Sequence, residues 1–316
     1  MTGKTGLAVS KTTITVGSRG SRLALLQTEL VVNLLAERYP HLSFRLKKIK
    51  TGGDINRTAS LAELGGLGLF VKELEQALLS GEIDMAVHSL KDVPTELGAE
   101  FKLAAVPIRG DARDAFVSNS GEPLSRLPQG ACVGTGSERR AVQLKAFRPD
   151  IDIQPLRGNI DTRLNKLHSG KIDGIIVAAA AMLRMGWDER ITEYLPVEHF
   201  LPSVGQGALA IEIKAADREM SDLVSVVNYE PAWLSVRAER AFLSALGGGC
   251  HAPIAALGTV SGNTLHIEGM VASRDGSRIL RVSKDASPAM PEKTGRLMAE
   301  RILAMGAREL ISGNGK

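Results

Sequence analysis

Hydrophobic and polar positions along this 316-residue chain switch between two periods, and the switching itself repeats. Residues 13–16 (TITV) are a short β-branched run. Residues 22–38 follow with Leu23, Leu26, Leu30 and Leu34 at helical spacing. Residues 44–49 alternate as a strand does, 71–79 return to the helical period, and 84–87 read as a strand again. Alternating strands and helices build an α/β sheet. The pattern is then written a second time. VGSRGS at 16–21 returns as VGTGS at 133–137, each closing a strand and opening a helix that carries an arginine. IKTGGD at 49–54 returns as LRGNID at 156–161, and SGEID at 80–84 as SGKID at 169–173. Three matches in one order predict two similar α/β lobes.

Two segments, RGDAR at 109–113 and SVGQGA at 203–208, are the predicted crossings between lobes, with a strand at 209–213 returning to the first. The expected division is residues 12–108 plus 208–227 for the first lobe and 109–207 for the second. Residues 228–316 form a small α+β C-terminal domain. There the pattern predicts a helix at 232–246, strands at 254–260, 264–272 and 277–283, and a last helix at 292–310. Two α/β lobes joined by crossing segments enclose a cleft, where ligands commonly bind.

Composition narrows the function classes. Apolar residues make up 44% and charged residues 23%, an ordinary balance for a water-soluble protein. The longest apolar run, 175–183, is about half a membrane span, and MTGKTGLAVS at the start lacks a hydrophobic core, so a cytoplasmic protein is expected. A net charge of +4, from 39 basic and 35 acidic residues, is too mild to indicate nucleic acid, and the twelve aromatics do not interleave with arginines. Six histidines show no i, i+4 pairing with each other or with cysteine, which argues against a metal site. TGKTG at 2–6 lacks phosphate-loop spacing, and GGLGLF at 65–70 is no dinucleotide fingerprint.

Where positive charge gathers is more telling. The strand-to-helix junctions carry Arg19 and Ser21, then Thr135, Ser137, Arg139 and Arg140, then Arg157 and Arg163, with Arg184 after the strand VAAAAM. Helix N-termini favour anions, and guanidinium forks suit carboxylates or phosphates, so these positions predict a polyanion site. In AVHSLKDVPT at 86–95 a strand ends on Lys91 and Asp92, and Pro94 stops its continuation. An aspartate among guanidiniums should stay ionised and suits stabilising a developing cation. The other notable stretch is ALGGGCHAP at 245–253. A packed thiol needs no glycine lead-in, whereas a reactive or covalently loaded one needs access. With Cys132 the only other cysteine, free thiols are expected. These residues alone also suit a two-lobed solute-binding or ligand-sensing protein, from which Cys250 sets this chain apart. A Cys250–His251 hydrolase is disfavoured, because adjacent side chains rarely reach attack geometry.

Assembled, the segments GSRGSRLALLQT, GLFVKELEQALLSGEIDMAVHSLKDVPT, VGTGSERRAVQL, LRGNIDTRLNKL, SVGQGALAIE and GGGCHAPIA resemble the porphobilinogen deaminase (hydroxymethylbilane synthase) family. The resemblance spans about residues 13–310. It implies lobes built as in periplasmic binding proteins and a transferase of tetrapyrrole (haem) biosynthesis. That enzyme condenses four porphobilinogen molecules into a linear tetrapyrrole with loss of four ammonia. It implies a dipyrromethane cofactor held by Cys250 through a thioether, and Asp92 as the catalytic group steadying positive charge on pyrrole nitrogen. Lys91, Asp92, Thr135, Ser137, Arg139, Arg140 and Arg163 would hold the cofactor. Arg19, Ser21, Lys72, Arg157, Arg163 and Arg184 would hold substrate rings, each bearing an acetate and a propionate. A monomer that passes its product to a downstream tetrapyrrole cyclase is implied, with no metal, nucleic acid or membrane. Three positions depart from the family pattern: Leu67 in place of a lysine, Gly136 in place of a serine, and His251 after the cysteine.

Overall fold

The computed structural model describes residues 11–50, 71–247 and 253–312. The first sheet contains β1 (Thr13–Arg19), β2 (Ser43–Ile49), β3 (Met85–Ser89) and β4 (Phe101–Ala105). The second contains β5 (Asp114–Ser118), β6 (Cys132–Thr135), β7 (Asp152–Pro155), β8 (Gly174–Ala178) and β9 (Glu193–Tyr194). The chain then returns as β10 (Leu209–Lys214) to the first.

The two sheets have one topology. Their orders are β2-β1-β3-β10-β4 and β7-β6-β8-β5-β9. In each, the first three strands are parallel and the fourth runs antiparallel to both neighbours. The fourth strand of each lobe, β10 or β5, is the one that follows a crossing. The crossings touch: the Gly110 amide donates to the Gly207 carbonyl at 3.1 Å. Gly207 has a φ of +84°, and a Cβ there would stand 2.5 Å from the Gly110 carbonyl oxygen, so only glycine fits.

Helix α1 (Arg22–Arg38) lies on the first sheet, but not by the stripe its leucines suggest. Leu30 and Leu34 are 45% and 40% exposed, while Val31 and Leu35 are buried with Ile14, Val16 and Val87. Leu23 and Leu26 instead pack against the second lobe's core. The helix has apolar residues on two faces because it serves two bodies. Burying side chains of this size contributes roughly 1.5–3 kcal/mol each. Also present are α2 (Lys72–Leu79), α3 (Glu138–Phe147), α4 (Ile160–His168), α5 (Ala179–Arg184) and α6 (Arg218–Ser225).

The C-terminal part stacks α7 (Glu230–Ala245) and α8 (Pro291–Ala304) on the antiparallel sheet β11 (Ile254–Ser261), β12 (Thr264–Ala272) and β13 (Ile279–Ala286). Phe242, Ile267, Val271, Met298 and Ile302 fill the space between. Two details differ from the pattern reading. Residues 273–277 form a turn in which Asp275 accepts from the Ser277 amide at 3.0 Å, so β13 begins at Ile279 rather than 277. The last helix is broken: Gly306 takes a φ of +95° and α9 (Ala307–Ser312) restarts beyond it. Among the described residues no helix is long and apolar enough to cross a membrane.

Candidate functional site

Parallel strands bring their carboxyl ends, and the helices that follow them, to one edge of each sheet. Three of those helix starts are capped by side chains. Ser21 accepts from the Ala24 amide at 3.3 Å, Ser137 from the Arg140 amide at 3.5 Å, and Asn159 from the Thr162 amide at 2.9 Å. Each hydroxyl of Ser21 and Ser137 keeps its own proton to donate to a ligand. A cavity at the edge of the first sheet is lined by Arg19, Ser21, Gln27, His88, Ser89 and Asp92. Three residues singled out in the sequence, Arg19, Ser21 and Asp92, therefore share one wall. Gln27 belongs there too, holding the Ser89 hydroxyl at 2.9 Å.

The two edges meet across the cleft. Asp92 closes a short 3-10 turn, Leu90–Asp92, after β3. Burial and then the Arg140 guanidinium push the Lys91 ammonium from its ordinary 10.5 down to about 8, against the pull of Asp92 and Asp114. Arg163, on α4 of the other lobe, is pushed down to about 10 by burial and Arg140, and Asp92 opposes the shift. Lys91, Asp92, Arg140 and Arg163 are thus within electrostatic reach of one another. Arg163 is oriented by donating its Nε–H to the Gly158 carbonyl at 2.9 Å. Arg184 donates to the Gly207 carbonyl at 2.7 Å, so it sits on the crossing, and burial lowers it to about 10.

Beneath this surface lies an arrangement that the sequence reading missed. Asp114, the first residue of β5, is fully buried and receives Arg139 at 2.8 Å, Arg140 at 2.8 and 3.0 Å, and the Gln206 amide at 2.8 Å. Burial resists ionisation of its carboxyl, yet the two guanidiniums hold it well below the usual carboxylate range. Gln206 also receives weaker bonds from Lys91 and Arg140, at 3.4 and 3.3 Å, and donates to the Ala112 carbonyl at 2.8 Å. One side chain of the second crossing thereby ties the Asp92 turn, the first crossing and α3 together. Nearby, Glu239 of α7 is buried and accepts from Arg109 at 2.5 Å, the Gly205 amide at 2.7 Å and the Gly258 amide at 2.8 Å. His88 hydrogen-bonds Glu212 at 2.7 Å between adjacent strands of the first sheet. Asp114 and Gln206 fall in RGDAR-D and SVGQGA, which read only as connections, and no local signal marks either as a partner of the arginines.

Other nominated residues stand elsewhere. Arg139 turns inward, to Asp114 and the Leu201 carbonyl at 2.7 Å, and its buried Nε lacks a hydrogen-bond partner. Thr135 is buried, its hydroxyl accepting from the Ser137 amide at 3.3 Å. Lys72 is exposed at the start of α2, and Arg157 is exposed after β7. A Cβ on Gly136 would lie 2.4 Å from the Leu156 carbonyl oxygen, so this backbone excludes the serine expected there. Cys250, His251 and Leu67 lie outside the described residues. Among the described residues no cluster of His, Cys, Asp and Glu could hold a metal ion.

Among the described residues the charges at the cleft do not balance. Lys91, Arg163 and Arg184 form no ion pair among the described residues, Asp114 is already shared by two arginines, and Asp92 is one carboxylate among several cations. A ligand with several carboxylates would relieve the desolvated cations, so a dipyrromethane with acid side chains fits. Fold and site together define a two-lobed α/β protein with a cleft in which, among the described residues, cations outnumber carboxylates.

Residues 14–222 match the family model described as porphobilinogen deaminase, dipyrromethane cofactor binding domain, and 233–304 match the porphobilinogen deaminase C-terminal domain. The chain belongs to the porphobilinogen deaminase family. It is 46% identical over 299 residues to the porphobilinogen deaminase of Desulforudis audaxviator, covering 95% of this chain and 97% of that one. It is likewise 46% identical over 304 residues to that of Listeria monocytogenes, covering 95% and 98%. The Geobacter sulfurreducens enzyme is 46% identical over 297 residues, covering 94% and 93%.

Proposed function

We propose that this protein condenses four porphobilinogen molecules head to tail into linear hydroxymethylbilane, releasing four ammonia, as a transferase of tetrapyrrole biosynthesis. The observation that carries the reading is Asp92, a single carboxylate set opposite Arg163 and beside Lys91, where cations outnumber anions. A dipyrromethane held by Cys250 supplies a free pyrrole carbon at which the chain can grow. Arg140, Arg163 and Lys91 hold its acid side chains, while Arg139 and Asp114 brace Arg140 from below. Arg19 and Ser21 receive the carboxylates of the incoming ring, Arg184 steadies the crossing, and Arg157 and Lys72 stand further out.

Loss of the substrate's amine would leave positive charge on its pyrrole nitrogen, and formation of the new carbon–carbon bond would neutralise that ring and pass the charge to the nitrogen of the attacking ring until it loses its α-proton. The Asp92 carboxylate faces that charge at both stages, in a place where burial weakens competition from water. A fixed charge aimed at developing charge is worth about 3–4 kcal/mol by the loss seen when one such group is removed. The cations cannot take this role, because they repel the forming charge and serve the carboxylates instead. We read the protein as a cytoplasmic monomer whose product passes to a tetrapyrrole cyclase.

Intact-mass measurement tests the anchor: the wild-type chain should carry two condensed pyrrole units and Cys250→Ser none. A wild type without added mass that still consumes porphobilinogen would refute it. Asp92→Asn should keep its fold and lose at least a hundredfold in turnover, and a near-normal rate would remove Asp92 from the chemistry.

A further inference from the structure

A second cavity, of about 270 Å³, lies on the other side of the Asp92 turn, between the edge strand β4 and the helix pair α7 and α8. One face of α7 lines it with Trp233, Arg237, Arg240 and Ser244, and α8 adds Glu292 and Arg296. The spacing 233, 237, 240, 244 is a single helical stripe, so these side chains project together. Only one of the three guanidiniums is neutralised here. Arg237 pairs with Glu292 at 2.5 Å, whereas Arg240 and Arg296 form no ion pair among the described residues. Two unmatched positive charges beside an indole suit two carboxylates on a flat ring. The volume admits one such ring.

Arg240 connects this cavity to the chemistry. It donates to the carbonyls of Val93 at 3.2 Å, Pro94 at 2.6 Å and Thr95 at 3.0 Å, immediately after Asp92. A guanidinium has five N–H donors, so others remain for an anion. We propose that this cavity is an accessory binding site for a small planar dicarboxylate, coupled to the Asp92 turn through Arg240. An anion on the remaining N–H groups draws the guanidinium towards itself, strains its three carbonyl bonds and loosens the turn that positions Asp92.

The test uses the full chain carrying its cofactor, with Trp187→Phe so that Trp233 is the only tryptophan left of two. Pyrrole-3,4-dicarboxylate is the probe. Saturable quenching of Trp233 is expected, at least tenfold weaker in Arg296→Glu and absent in Ser244→Phe, which fills the cavity. Arg19→Leu, in the cleft where the incoming ring's carboxylates would sit, should leave the quenching affinity unchanged. Saturating probe should lower kcat at least twofold, an effect missing in Ser244→Phe, whereas occupation of the cleft would raise KM in both. Non-saturable quenching, quenching indifferent to Arg296→Glu, or quenching lost in Arg19→Leu would overturn the site. Binding without a change in kcat would overturn the coupling. The quenching measurements need no turnover, so their failure is separable from any failure of the proposed reaction.

Discussion

The sharpest consequence of the cleft's charge imbalance concerns Lys91. With no ligand its ammonium loses its proton at about 8 instead of 10.5, because burial and Arg140 disfavour the charge. The difference corresponds to at most about 3 kcal/mol against the charged form, and to less because part of the side chain still meets water. A bound carboxylate restores the charge and raises the pKa again. Ligand binding must therefore take up a proton between about pH 8 and pH 10. The sign follows from linkage: affinity is full below pH 8, where Lys91 is already charged, and declines as pH rises through its ligand-free value. At pH 9 about a tenth of the free protein has Lys91 protonated, so affinity should fall roughly tenfold between pH 7 and pH 9. The assay is calorimetric titration of the Cys250→Ser chain with a free dipyrromethane tetracarboxylate, in two buffers of different ionisation enthalpy. Lys91→Arg, which stays charged throughout, should flatten the profile. A wild-type affinity independent of pH over this range, without proton uptake, would refute the reasoning.

Other consequences can be checked more quickly. Arg140→Leu should fail to load the cofactor and also lower stability by about 3–5 kcal/mol, because it strips a partner from the buried Asp114; denaturant melts and intact mass report both. Gly136→Ser should cost about 1–3 kcal/mol by forcing the 136 and 156 backbones apart, and an unchanged melting point would contradict this. Arg22 of the first lobe stands 5.5 Å from the Trp187 ring of the second, so Arg22→Ala should shift Trp187 emission when the cleft fills. Emission that matches the parent at every stage would show that this contact does not respond to the ligand.

Stability arguments and chemistry separate at Asp114 and Asp92. Both are carboxylates among cations, yet Asp114 is enclosed and accepts five hydrogen bonds, while Asp92 lines an open cavity. Replacing the first disturbs the framework, and replacing the second disturbs only what the framework presents.

Local chemistry was legible without coordinates. Doubled junction motifs announce two lobes of one topology, since strand–turn–helix units are set by residues close in the chain. Arg19, Ser21 and Asp92 could be nominated because each stands at the carboxyl end of a strand. Pairings between distant segments were not legible in that way. Nothing in RGDARD marks Asp114 as the partner of Arg139 and Arg140, since 25 residues separate it from the first and 26 from the second. The leucine stripe of α1 misleads for a related reason: helical period shows that a helix has an apolar face but not which of two bodies covers it. Arg139 illustrates the limit most plainly. It sits in the same motif as Arg140 and both guanidiniums are buried on Asp114, yet tertiary packing takes one on to the Leu201 carbonyl and the other to the Ile176 carbonyl and Gln206, close enough to Arg163 to lower its pKa.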